Sequence, residues 1–265
     1  MTLAQKIEKS KEIITEAFDR FGSEKMAIAW TGHKDSTLVL WLFRLVCGER
    51  GMRLPKCMMI DEGDVFEEIR TFMGTVTAAW DIELVEARNT DVISRAHGIG
   101  DTIVVSSLNE QNRAELLRIG YTGDTFPFEP ESLAGNHLLK TCAMNMFIRE
   151  HGLKALATAI RRDEQSARGQ ESYFSDRPDN EPPHMRVHPI LHFTERDVWD
   201  AILGNEIPYC GLYALGYRSL GARYNTLRTS DLPAWEQDLE ASPERAGRGQ
   251  EKEQLMDRLR SLGYM

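Results

Sequence analysis

Several things are missing from this 265-residue sequence. Of its four cysteines, Cys47, Cys57, Cys142 and Cys210, no two form a Cys-x-x-Cys pair, which removes support for a zinc ribbon or a thioredoxin-type dithiol. His97, His137, His151, His184 and His192 are scattered, and none of these five stands four residues from another, so no metal site is expected. There is no Gly-x-x-x-x-Gly-Lys-Ser/Thr loop, hence no Walker A motif. The longest apolar run, Leu38 to Phe43, falls far short of the ~20 residues that span a bilayer. Residues 1–25 read as a charged amphipathic helix and not as a signal peptide, so we expect a reducing cytoplasm and no membrane association. Basic residues are also in deficit: 32 Lys and Arg against 41 Asp and Glu give a net charge of −9. That balance argues against general nucleic-acid binding, which needs a basic field, but leaves room for a local pocket for a small anion.

The remaining composition, 42% hydrophobic and 28% charged, is ordinary for a globular chain and excludes wholesale disorder. At this length one large domain, or one plus a small appendage, can bury a full core without disulfides. Leu3, Ile7, Ile14 and Phe18 recur at helical spacing. Met26–Trp30 reads as a buried strand, Ser36–Cys47 as a helix, Lys56–Ile60 as a strand, Val65–Trp80 as a helix and Ile82–Ala87 as a third strand. Strand–loop–helix units of this length pair in parallel with right-handed crossovers. Further helices are expected at His137–His151 and Glu251–Gly263, and strands at Leu153–Ile160 and His188–Leu191. Thr194 is a helix N-cap with Asp197 at N3. Glu164–Pro183 and Ser230–Gly249 are polar and irregular. Trp30, Trp41, Trp80 and Trp199 are expected in the core, and Cys47 and Cys57 as buried thiols.

Two clusters carry chemistry. Thr31-Gly32-His33-Lys34-Asp35-Ser36 lies between a strand end and a helix start, where free backbone N–H groups and the helix dipole suit a phosphate. Lys34 adds charge, Ser36 can donate to a phosphate oxygen, and Asp35 can orient the lysine or hold Mg²⁺; the same string also suits a simple polar turn. Arg161, Arg162 and Arg168 follow another strand. They can bind phosphate or sulfate in bidentate fashion, or form a solvated charge cluster of little consequence.

In wider context the first loop resembles the Ser-Gly-Gly-Lys-Asp-Ser loop of the N-type ATP pyrophosphatases, with His33 where that pattern has its second glycine. Asp61-Glu62-Gly63 with Phe66 resembles the Asp-Thr-Gly segment of the phosphoadenylyl-sulfate (PAPS) reductase superfamily. Ile160–Arg168 resembles the arginine segment of PAPS reductases and of the sulfate adenylyltransferase small subunit, and His188–Leu191 through Trp199 resembles their Pro-Leu and Asp-Val-Trp segment. Pro208–Tyr213 with Gly216–Gly221 resembles a stretch of PAPS reductases and FAD synthetases. Ser242–Gly247, Met256 and Gly263-Tyr264 resemble the tail of the sulfate adenylyltransferase small subunit. These matches keep one order from about residue 26 to residue 221 and beyond.

The resemblance implies a doubly wound, mostly parallel α/β fold of about five strands, adenine nucleotide alpha hydrolase-like, with a nucleotide-binding domain at 1–228 and an irregular C-terminal extension at 229–265. It implies an adenylyltransferase that splits ATP between the α- and β-phosphates and passes AMP to an oxyanion, sulfate first. Adenylylation of FMN, adenylation-dependent sulfur transfer and a non-catalytic nucleotide-binding partner are the alternatives. Lys34, Arg161 and Arg162 would be catalytic. Thr31, Gly32, His33, Lys34, Asp35, Ser36, Asp61 and Glu62 would bind nucleotide and pyrophosphate, with Mg²⁺ entering on ATP. Arg168, His188 and Arg218 would face the acceptor anion. A GTPase subunit is the partner implied by the sulfate-activating relatives, and homo-oligomers are left open. An iron–sulfur cluster is not expected, because paired cysteines are absent. No cysteine follows Cys210, which argues against thiol-dependent PAPS reduction, and Cys142 is read as a packing residue.

Overall fold

The computed structural model describes residues 1–164, 168–178 and 180–248. The helix expected at 251–263 lies outside them, as do residues 165–167 of the arginine segment.

Helix α1 (Leu3–Phe21) opens with a capping box between Thr2 and Gln5 and buries Ile13, Ile14, Ala17 and Phe18. Strand β1 (Met26–Ala29) runs through the loop into α2 (Lys34–Arg50), followed by β2 (Lys56–Ile60), α3 (Glu67–Trp80) and β3 (Leu84–Ala87). The three strands pair in parallel, with Ile28 opposite Cys57 and Cys57 opposite Leu84. The chain then makes an excursion that sequence patterning did not resolve. It consists of α4 (Thr90–Ile93), β4 (Thr102–Val104), α5 (Glu110–Arg118), β5 (Thr125–Pro127) and α6 (Leu133–Asn136). β4 and β5 pair antiparallel, and three residues each give too few alternations to register as strands. Val92, Ile103, Leu116, Phe126 and Leu138 give the excursion its own apolar cluster.

His137–Cys142 is a π-helical turn that continues into α7 (Ala143–Glu150). The helix expected from His137 therefore begins earlier, at Leu133, and carries a π-bulge. β6 (Ala155–Ala157), β7 (Phe174–Arg177), β8 (His184–Val187) and α8 (Glu195–Gly204) complete the body. The strand expected at His188–Leu191 is replaced by β8 immediately before it; Pro189 has no N–H for a ladder. Thr194 caps α8 as expected, with a reciprocal bond to Asp197.

The sheet has six strands in the order β3-β2-β1-β6-β8-β7, all parallel except the edge strand β7. The order reverses between β1 and β6, so the loop after β1 opens at a topological switch point, where α/β sheets bind ligands. The main core joins residues of α1, α2, α3 and α8 with one face of the sheet, while α7 covers Ala27, Met58 and Leu156 on the other. Trp30 and Trp199 are buried, and Trp41 and Trp80 lie against the core. After residue 228 the chain folds back as an arm. Ala234 and Leu239 join the main core, and the Leu227 N–H donates to the Gly247 carbonyl at 2.9 Å. Among the described residues no helix is long and apolar enough to cross a membrane.

Candidate functional site

A cleft of about 270 Å³ opens at the C-terminal ends of the parallel strands. Its floor is apolar, from Ala29, Met58 and Leu156 on the sheet and Met144 on α7; its rim is charged. Thr31, His33, Lys34, Asp35 and Ser36 form one wall, with Glu62 and Lys140 beside them. Arg168, Glu244, Arg245 and Arg248 line the other side, and Arg186 rises from the sheet.

The loop is shaped by Gly32, whose φ of +74° belongs to the left-handed region. A Cβ there would lie 2.8 Å from Met73 Cγ and 2.9 Å from Ile69 Cγ2, so only glycine fits. His33 sits at φ −81°, ψ 159°, ordinary extended backbone, so the second glycine of the family pattern is not required by the chain path here. His33 is the N-cap of α2, and its side chain makes no cap hydrogen bond. Burial, then Arg248, Lys34 and Lys140, push the imidazole down to about 3; it lines the cleft as a neutral ring. The Lys34 N–H donates to the Tyr213 hydroxyl at 3.1 Å, and Ser36 Oγ donates to the His33 carbonyl at 3.0 Å.

Lys34 is 2% exposed. Its ammonium pairs with Asp35 at 3.2 Å and with Glu244 from the arm. Burial opposes that charge, but Asp35 and Glu244 outweigh it and the pKa is raised. Arg161 is fully buried directly behind, bonded to Asp35, Glu244 and Asp163. Burial alone would raise the Glu244 carboxyl; Arg161 and Lys34 instead hold it well below the usual carboxylate range. Glu244 thus bridges the two cations where an anionic ligand's oxygens would be neutralised. The arm that carries it is pinned by Arg218, whose guanidinium grips Glu195 at 2.7 Å and donates to the Leu239 carbonyl at 3.0 Å and Ser242 Oγ at 2.6 Å. Arg248 lies flat against Gly221, where any Cβ would meet its guanidinium.

Of the residues singled out in the sequence, Thr31, His33, Lys34, Asp35, Ser36, Glu62 and Arg168 line the cleft, Gly32 shapes it and Arg161 backs it. Asp61 lies outside the lining, its carboxylate accepting from the Gly63 N–H at 3.0 Å and pairing with Arg70 at 3.0 Å. Arg162 turns away, donating to the Glu171 carbonyl at 3.2 Å with its guanidinium 5.6 Å from the Tyr173 ring centroid. His188 is buried against Thr158 Oγ1 at 2.7 Å, and burial lowers it to about 4. Arg218 lies outside the lining, bonded to Glu195 and to the arm. Unanticipated lining residues are Lys140, Arg186, Tyr213, Glu244, Arg245 and Arg248. For Glu244 and Arg245 the signal was present in the Ser242–Gly247 motif; Lys140 and Arg186 stand in no motif. The four cysteines are all buried, and none lines the cleft. Cys142 Sγ clusters with Glu115 and His137, ligand atoms within 4.8 Å of one another, with His137 Nε2 2.8 Å from Glu115. Burial, then Glu115, raises the Cys142 thiol, so it stays protonated.

Among curated relatives, sulfate adenylyltransferase subunit 2 of Rhodopseudomonas palustris (strain BisB18) is 33% identical over 122 residues, 38% of this chain and 37% of that protein. The subunit 2 of Nocardia farcinica is 26% identical over 286 aligned positions, covering 99% of this chain and 80% of that protein. The match to the first of these relatives thus spans well under half of its length. Among solved structures, Candida glabrata FMN adenylyltransferase, in complex with FMN and the ATP analogue AMPCPP, shares the fold. Its TM-score is 0.63 at 19% identity, over 95% of this chain and 73% of that one. The sequence also matches the phosphoadenosine phosphosulfate reductase domain family over residues 25–228, the span that holds the sheet, the Gly32 loop and Arg161; the chain belongs to that family.

Proposed function

We propose that this chain is an adenylyltransferase: it cleaves ATP between the α- and β-phosphates and transfers AMP to an oxyanion, with sulfate as the first acceptor. The observation that carries this reading is the bridging of Lys34 and Arg161 by Glu244 beside the uncapped start of α2. Two buried cations and a helix dipole converge there on one carboxylate, the charge pattern that also suits a pyrophosphate. In the proposed reaction an acceptor oxygen bonds to the α-phosphorus and the bond to the bridging oxygen breaks. Pyrophosphate leaves against Lys34, Ser36 and the α2 amides. No covalent enzyme intermediate is required, so the contribution of the chain is positioning and charge stabilisation. Mg²⁺ would enter with the nucleotide, and of the lining carboxylates Asp35, Glu62, Glu164 and Glu244, Asp35 and Glu62 on the loop side are the ones whose oxygens would suit it. Arg161 works from behind by fixing Asp35 and Glu244, and the segment after residue 228 is an arm that completes the site.

Relatives named as subunit 2 support a partner subunit, which for the sulfate-activating reading is a GTPase. The apolar floor of Met58, Met144 and Leu156 favours FMN as second acceptor, because a flat ring system needs such a surface. Thiol-dependent reduction is disfavoured by the burial of all four cysteines. Pyrophosphate release from MgATP, measured with sulfate, FMN or a sulfur donor and with or without the GTPase subunit, tests the reading. Lys34→Ala should lower the rate by about 10²–10³-fold, as loss of one charge-stabilising donor does. Absence of release by the wild type with every acceptor would refute the proposal.

A further inference from the structure

Among the described residues six cations line the cleft, and five have a carboxylate partner. Lys34 has Asp35 and Glu244, Lys140 has Glu62 and Glu131, Arg168 and Arg245 share Glu164, and Arg248 faces Glu131. Arg186 is the exception among the described residues. It is 2% exposed, and both of its side-chain bonds go to uncharged groups. Its Nε donates to His184 Nε2 at 2.8 Å, and its Nη2 lies 2.8 Å from the Met144 thioether. His184 supplies no charge: its Nδ1 faces the Pro182 carbonyl at 2.8 Å, which fixes the proton there and leaves Nε2 as an acceptor. Burial, then Arg186, push that imidazole down to about 4. Glu171, bonded to Arg177 at 3.0 Å and accepting from Ser175 Oγ at 2.6 Å, attracts Arg186 only from a distance.

Buried charges are normally paired; burial, then Arg177, push Arg186 down to about 9 against the pull of Glu171, which still leaves it charged at neutral pH. A lone guanidinium at the floor of a cleft is therefore half of an ion pair whose other half comes from solution. Its depth follows from the register. Arg186 stands opposite Leu156, and Leu156 opposite Ala27, two residues before the end of β1. That sets it about 7 Å below the sheet edge and about 10 Å across from the strand that feeds the phosphate loop, beside a nucleotide and not beneath its pyrophosphate.

We propose that Arg186 forms the floor of a second anion subsite, which takes a doubly charged tetrahedral oxyanion: free sulfate, or the phosphomonoester of FMN. The oxyanion accepts from the guanidinium in place of the Met144 thioether, a far weaker acceptor. In the adenylyl-transfer reading, on which only this last assignment rests, that oxyanion is the acceptor held for attack on the α-phosphorus.

Calorimetric titration with sulfate, FMN and nitrate, on the wild type, Arg186→Met and Arg186→Lys, tests the subsite. Sulfate or FMN should bind the wild type at least tenfold more tightly than Arg186→Met, with partial recovery in Arg186→Lys and nitrate weak throughout. Dependence on Arg186 for sulfate alone or for FMN alone identifies the source of the oxyanion. The affinity for AMPCPP with Mg²⁺ should stay within about twofold, a near-neutral change by the usual free-energy scale. In sulfate-free buffer Arg186→Met should melt no lower than wild type, because it removes an uncompensated buried charge of similar volume. Equal oxyanion affinity in wild type and Arg186→Met would overturn the proposal. So would a lower melting temperature of Arg186→Met in that buffer, which would make Arg186 a structural residue. Arg186-dependent binding without pyrophosphate release would sink the adenylyl-transfer reading and leave the subsite standing.

Discussion

Replacing Glu244 by glutamine should destabilise the unliganded protein and strengthen its response to pyrophosphate. The carboxylate makes one charge-assisted contact to Lys34 and one to Arg161, each worth about 1.5–3 kcal/mol when the donor is charged. Part of that is returned, because the amide no longer carries a charge out of water and still accepts one bond. Asp35 and Asp163 remain on the two cations. The net loss should therefore be about 2–4 kcal/mol. At about 2.1 cal/mol/K per residue, a 265-residue chain has a midpoint entropy near ~0.56 kcal/mol/K, so the melting temperature should fall by about 4–7 °C. The folded pKa of Glu244 lies below its unfolded value. This stabilisation is thus fully present above the unfolded carboxyl pKa and is lost only as pH falls through the folded one, so the measurement belongs at neutral pH. Differential scanning fluorimetry with and without pyrophosphate reads both effects. An unchanged melting temperature, or a pyrophosphate-induced rise smaller than in wild type, would refute the view that Glu244 occupies the place of a ligand's oxygens.

Gly32→Ala should cost at least about 1–3 kcal/mol, since it combines a positive φ with a Cβ overlapping Met73 and Ile69; a melting temperature within 1 °C of wild type, roughly the assay's resolution on this scale, would contradict the loop geometry. His33, held at about 3 when folded and near its usual value when unfolded, binds fewer protons in the native state. Stability should therefore fall as pH drops from the unfolded His value toward 3, and His33→Gln should flatten that slope in pH-dependent urea titrations; an identical slope would disprove it. Native protein should leave all four thiols unlabelled by an aromatic disulfide reagent within minutes and expose four in denaturant. Rapid native labelling of Cys142 would contradict its reading as a buried packing residue.

The parts of the molecule legible in the sequence are those whose determinants are local. β1, the Gly32 loop and α2 follow from an apolar run, a polar turn and a second apolar run in register, and the Thr194–Asp197 box marks the start of α8 because both partners lie within four residues. The β4–β5 pair left no such mark, since each strand has three residues and draws its stability from Leu116, Leu138 and other distant side chains. In the site, Lys34 and Asp35 were visible for the same local reason. Arg186 was not: it sits in an ordinary strand pattern, and its meaning depends on the absence of a carboxylate around it in three dimensions. Arg162 and Arg218 fall outside the cleft lining, because the sequence shows a charge but not whether a neighbour such as Glu195 has already claimed it.

The contact between Lys34 and Glu244 joins residues 210 positions apart. During synthesis the sheet strands and the phosphate loop leave the ribosome long before the arm does. Until residue 244 emerges, Lys34 and Arg161 lack the carboxylate that bridges them in the finished fold. Non-local contacts of this span are the slow ones to form, so until the arm arrives Lys34 and Arg161 would have only Asp35 and Asp163 to balance them.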